Sequence, residues 1–138
     1  MSDELRLYTD GATAGDPTQG AICYRLLDSS EEVLLEHAQQ IGAATSNEAE
    51  YRALMIGLSA CQKYLRARIH CFADSELLVK QLRGEYRVSD PRLKQLAGRV
   101  KHLAEQFREV SFRHVRSTDP EMALAGRLAN AALNARAG

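Results

Sequence analysis

The sequence predicts an α/β fold: a mixed five-stranded sheet, three antiparallel strands followed by parallel ones, flanked by helices. Three observations point there. Three strand-like segments joined by short polar turns occupy the first third of the 138 residues. Capped segments with apolar residues at helical spacing follow, and short apolar runs return between them, as helix-connected parallel strands require. The length suits one core, so residues 1–138 are expected to form one domain.

The first strand is Leu5-Arg6-Leu7-Tyr8-Thr9, whose apolar residues alternate before Asp10-Gly11. Two readings stand at Asp10. Asp-Gly is a favoured hairpin turn, because glycine takes positive φ freely and aspartate bonds its own backbone. Alternatively, a central strand ends there and carries its carboxylate at a fixed height, suited to a metal ion. Thr13 to Gly20 is small and polar and reads as a loop, Ala21 to Leu27 as the second strand, Asp28 to Glu31 as a turn, and Val33 to Ile41 as the third strand. No glycine-rich phosphate cradle follows the first strand, which argues against a dinucleotide-binding fold.

Thr45-Ser46-Asn47 offers capping side chains for a helix running to about Tyr64. Glu50, Ala53, Leu54, Gly57, Leu58 and Cys61 share one face of it. Glu50 then either closes a capping box with Asn47 or lies inward, where a carboxylate is costly unless paired or holding a metal. Arg68 to Ala73 is the next strand, parallel to the first, and Asp74-Ser75 begins a helix that Gly84 breaks. Asp74 serves either as that helix's N-cap or as a carboxylate at a strand's C-terminal end, where open sheets carry their sites. Asp90-Pro91 caps a further helix buried through Leu93, Leu96, Ala97, Val100, Ala104 and Phe107. Val110 to Val115 is the last strand, with His114 read as structural, and Asp119-Pro120 caps a final helix toward Arg136.

Composition narrows the classes. The chain is 45% hydrophobic and 26% charged, typical of a globular domain rather than a disordered one. Met1 to Glu4 has no basic, apolar leader pattern, and no run of about 18 apolar residues occurs, so no membrane association and a cytoplasmic location are expected. Cys23, Cys61 and Cys71 lack metal-ligand spacing and read as reduced core thiols. Net charge is +0, yet Lys80, Arg83, Arg87, Arg92, Lys94, Arg99 and Lys101 face only Glu85 and Asp90 within one segment. Such a segment either tracks a phosphate backbone or is a solvated helix face.

Together the element order and the segments Tyr8-Thr9-Asp10-Gly11-Ala12, Thr45-Ser46-Asn47-Glu48-Ala49-Glu50, Ala73-Asp74-Ser75 and Val79 to Tyr86 resemble the ribonuclease HI family over nearly the whole length. The absence of a separate basic protrusion is similar to its compact archaeal and bacterial subgroup. The resemblance implies an RNase H-like fold and hydrolysis of the RNA strand of RNA/DNA hybrids by two divalent ions, Mg²⁺ with Mn²⁺ as a substitute. It assigns Asp10 to both ions and Glu50 and Asp74 to the one on the leaving-group side. It further implies that Glu50 and nearby backbone read the 2′ hydroxyl and that the basic segment seats phosphates; no protein partner is implied, and a monomer is expected. One departure stands out. The family's Ala-Asp-x-Leu-Ala-Asn pattern appears here as Ala125-Gly126-Arg127-Leu128-Ala129-Asn130, so a fourth acid is replaced by Gly126. Asp119 or Glu121 is then the candidate substitute ligand, Gly126→Asp is expected to raise cleavage at limiting Mg²⁺, and a hybrid-binding module with weakened catalysis is the alternative function.

Overall fold

The computed structural model describes residues 3–135. Strands β1 (Glu4–Ala14), β2 (Gln19–Leu27) and β3 (Val33–Ala43) form an antiparallel meander. Helix α1 (Ser46–Ala60) and a short 3₁₀ turn (Gln62–Tyr64) lead to β4 (Arg68–Ala73), then α2 (Glu76–Leu82), α3 (Pro91–Ala104), β5 (Glu109–His114) and α4 (Pro120–Asn134). The sheet order is β3-β2-β1-β4-β5, with β1–β4 and β4–β5 parallel. The expected mixed five-stranded α/β architecture is therefore the observed one. Arg136, the expected end of the last helix, lies outside the described residues.

Period-2 alternation splits the sheet's residues between two layers. Leu5 and Leu7 of β1 point into the larger cluster, with Leu54 and Leu58 of α1, Ile69 of β4 and Val100 of α3. Tyr8 points the other way, into a smaller cluster with Cys23 and Leu27 of β2 and Met122, Ala125 and Ala129 of α4. Helices α1, α2 and α3 thus contribute to one layer and α4 to the other. Burying a leucine such as Leu54 or Leu58 contributes about 1.5–3 kcal/mol, which is why these spacings decide the helix orientations. The three cysteines are free and buried.

Several local expectations change. Asp10-Gly11 is not a hairpin turn: β1 stays paired with β2 as far as Ala14↔Gln19, and the chain reverses between Ala14 and Gln19 instead. The long ladder outweighs the two-residue turn preference, because each further pair satisfies backbone groups on both strands. Helix α1 is capped by Thr45, whose hydroxyl accepts from the Glu48 amide while the Glu48 carboxylate accepts from the Thr45 amide. The capping box is therefore Thr45/Glu48 and not Asn47/Glu50. Ser75, not Asp74, caps α2 by accepting from the Leu78 amide. Helix α1 ends at Ala60, short of Tyr64, with Cys61 turning the chain into the 3₁₀ segment. In each case a neighbouring side chain takes the capping role and leaves the carboxylates of Glu50 and Asp74 free of it.

Candidate active site

Asp10 lies two residues past Tyr8↔Phe72, the last pair of the β1–β4 ladder, and is still paired with Cys23 of β2. Its backbone is consequently held on one side only. Here the alternation of β1 matters: Asp10 follows Tyr8 toward α4, while Gly11 faces α1. A Cβ on Gly11 would stand 2.6 Å from the Ala49 carbonyl carbon. Glycine thus lets α1 touch β1 backbone to backbone, and the next residue of α1 is Glu50. The Gly11 amide donates to Asp10 Oδ1 at 2.9 Å and to Glu50 Oε1 at 3.4 Å, so one N–H bridges the two carboxylates. The sequence reading gave Gly11 only a turn role, although a glycine followed by alanine after the acid, and an alanine just before Glu50, are the signal of such an approach.

Asp74 arrives from the neighbouring strand, immediately after β4 ends at Ala73. The three residues each offer a carboxylate oxygen, and these oxygens lie within 4.8 Å of one another. All three are partly buried. No other group of three or more potential ligands of this kind occurs among the described residues, and none of the ion pairs among them involves Asp10, Glu50 or Asp74.

The electrostatics follow from that crowding. Burial pushes the Glu50 carboxyl far above the usual carboxylate range, and the nearby charges of Asp10 and Asp74 push it further. Burial likewise raises Asp10, with the Asp74 charge adding to it and the Gly11 amide opposing it. Three carboxylate oxygens this close together form a donor set that a hard divalent cation fits, because the cation offsets the crowded negative charge.

Comparison with known proteins shows the family of the chain. The family described as Reverse transcriptase-like matches residues 8–132. Ribonuclease HI of Halobacterium salinarum is 36% identical over 130 residues, 94% of this chain and 64% of that protein. The chain belongs to the ribonuclease H family. The crystal structure of RNase H1 from Halobacterium salinarum superposes with a TM-score of 0.87 at 34% identity, covering 95% of this chain and 98% of that one. The compost-derived LC11-RNase H1 in complex with RNA/DNA hybrid superposes at 0.86 and 30% identity, over 94% and 96% of the two chains. The chain spans 64% of the length of the Halobacterium relative and 36% of the other curated relatives it matches.

Against that family background the substitutes for a fourth acid fare poorly. Glu121 is taken by Arg25, a buried residue of β2 whose guanidinium also donates to Glu36 Oε2 at 2.8 Å. Asp119 caps α4, its Oδ2 accepting from the Glu121 and Met122 amides at 3.1 Å each. Neither belongs to the carboxylate cluster. Arg25 was missed in the sequence; an arginine inside the apolar run Ala21 to Leu27 was its only signal. His114, read as structural, is exposed at the end of β5, paired with Ala73. In the basic segment, Lys80 pairs with Glu76, Arg83 with Glu85 and Arg92 with Glu48, so part of its charge is neutralised locally.

Proposed function

We propose that this chain hydrolyses the RNA strand of RNA/DNA hybrids with divalent ions held by Asp10, Glu50 and Asp74. The observation that carries the reading is the convergence of three otherwise unpaired carboxylates within 4.8 Å, in a chain of this family. Bound ions, Mg²⁺ by preference for hard oxygen and Mn²⁺ as a substitute, would supply a water of lowered pKa and offset charge on the phosphate.

The chain's own residues account for the rest. Asp10, between α1 and α4, is the common ligand because its carboxylate neighbours both of the others. The approach of Ala49 to Gly11 brings Glu50 beside Asp10, where its carboxylate accepts from the Gly11 amide and can meet a 2′ hydroxyl, which DNA lacks. The basic side chains between Lys80 and Lys101 seat phosphates, giving affinity without sequence preference. We assign the chain to the cytoplasm as a single-domain monomer; no helix among the described residues is long and apolar enough to cross a membrane.

Gly126 and the engagement of Glu121 with Arg25 favour a second reading, a hybrid-binding module with weakened catalysis. Incubation with end-labelled RNA/DNA hybrid in Mg²⁺ and in Mn²⁺ separates the two. Cleavage that Asp10→Asn abolishes while the variant's circular dichroism and Tm stay intact supports the enzyme. Hybrid retention without cleavage in either metal supports the module.

A further inference from the structure

We propose that the groove between α1 and α3 is a docking site for an acidic peptide segment that inserts an apolar side chain. Its floor is Met55 and Ile56 of α1 and Leu103 of α3, all half-buried. Met55 and Leu103 rest on the edge of the larger core cluster, whereas Ile56 joins neither cluster. Gly98 keeps the groove open from the interior of α3, where a glycine costs helix stability. Gly57 in α1 has a packing reason for the same cost, since a Cβ there would press on Tyr24 and Thr9 at 3.1 and 3.2 Å. A Cβ on Gly98 would meet nothing within 4 Å, so nothing among the described residues uses the space it leaves.

The rim decides what partner fits. Helix α3 carries Arg92, Lys94, Arg99 and Lys101 and no acid. Arg92 is paired with Glu48, but Arg99, at the rim, has no ion pair among the described residues. Gln95 and His102 stand with it, and no carboxylate lines the groove. A complementary partner brings negative charge to Arg99 and apolar surface to the floor, because burial of that surface drives association while the charge selects the partner. A carboxylate and an apolar side chain on one peptide supply both. A phosphate of the hybrid satisfies Arg99, which belongs to the basic segment, and leaves the floor wet. At about 100° per residue, Met55, Ile56 and Ser59 lie roughly 140–240° round α1 from Glu50, so the groove faces away from the carboxylate cluster.

Fluorescence anisotropy with a short labelled peptide of aspartates around one phenylalanine tests this on wild type, Gly98→Leu and Ile56→Asp. Wild type should bind the peptide saturably, with a Kd of about 0.1 mM or tighter that weakens as salt rises. Replacing the phenylalanine by serine, or the aspartates by lysines, should weaken binding about tenfold or more. Gly98→Leu fills the groove with a better helix former, so its Tm should not fall while its peptide affinity drops about tenfold or more. Ile56→Asp lies outside both clusters and should lose the peptide through charge, which keeps the test standing whatever Gly98→Leu does to the fold. Both variants should cleave RNA/DNA hybrid as wild type does, and the binding readout is independent of cleavage. No saturable binding by wild type, equal affinity for the serine peptide, or wild-type affinity in both variants would overturn the proposal. Weaker hybrid retention by Gly98→Leu would give the groove to nucleic acid, and wild-type self-association that Gly98→Leu removes in sedimentation would give it to a second copy; each overturns the peptide assignment.

Discussion

At the scale of one residue, Glu50 carries the electrostatic strain of the carboxylate cluster. Its carboxyl is buried beside two other acids, and its protonated form is favoured by the fold well above the ordinary value of 4.5. The sign of the consequence is set by linkage. An acid whose pKa is raised on folding stabilises the protein below its unfolded pKa, and that contribution is lost as pH rises toward the folded value. Metal-free protein should therefore lose stability as pH rises from about 4.5, with Asp10 adding to the loss up to about 6. Glu50→Gln keeps the shape and removes the charge, so at pH 8 it should stabilise the metal-free protein by about 1 kcal/mol or more and flatten the pH dependence. Urea melts of both proteins at pH 5 and pH 8 in chelator check this. A variant less stable than wild type at pH 8 would contradict the crowding of charge at the site.

Among elements, the contact of α1 with β1 does most to assemble the site. It depends on Gly11, since the backbone of Ala49 occupies the space a Cβ would need. Gly11→Ala forces two backbones apart rather than a flexible side chain aside. It should destabilise the fold by about 1–3 kcal/mol and, by moving Glu50 off the shared Gly11 amide, lower cleavage more than it lowers stability. Denaturant melts alongside cleavage assays at saturating metal test this; unchanged values in both would show that α1 adjusts freely. A second tie between elements lies deeper in the same layer, where the Tyr51 hydroxyl of α1 donates to Gln81 of α2 at 2.6 Å. This bond links the helix carrying Glu50 to the one that follows Asp74.

Over the whole molecule, the three carboxylates come from a strand, a helix and the end of a second strand, so an ion bound by them joins parts of the chain 64 residues apart, from Asp10 to Asp74. A ligand that binds only the folded arrangement stabilises it by mass action, about 2.7 kcal/mol at a hundredfold excess over Kd. Tm should accordingly rise with Mg²⁺ concentration and fall back on chelation, and Asp10→Asn should abolish that rise. A Tm indifferent to Mg²⁺ in wild type would argue against ion binding by the folded protein. Lys94, Arg99 and Lys101 of α3 are not among the potential ligands, so neutralising them should weaken hybrid binding without changing the Mg²⁺ response.

What was legible in the sequence was what depends on near neighbours. The alternation of β1, the helical spacing of Leu54 and Leu58, and the Asp90-Pro91 and Asp119-Pro120 caps each involve residues a few positions apart, and the mixed sheet follows from their order. Asp10, Glu50 and Asp74 stood out for the same reason, since each sits at a strand end or on an apolar stripe. Only tertiary packing decided which role each residue takes. Thr45 and Ser75 supply the caps, β1 runs on to Ala14 because β2 keeps pairing with it, and Arg25 claims Glu121 across the layer between β2 and α4. The approach of Gly11 to Ala49 was likewise decided by packing, because what a missing side chain means is set by the backbone brought against it.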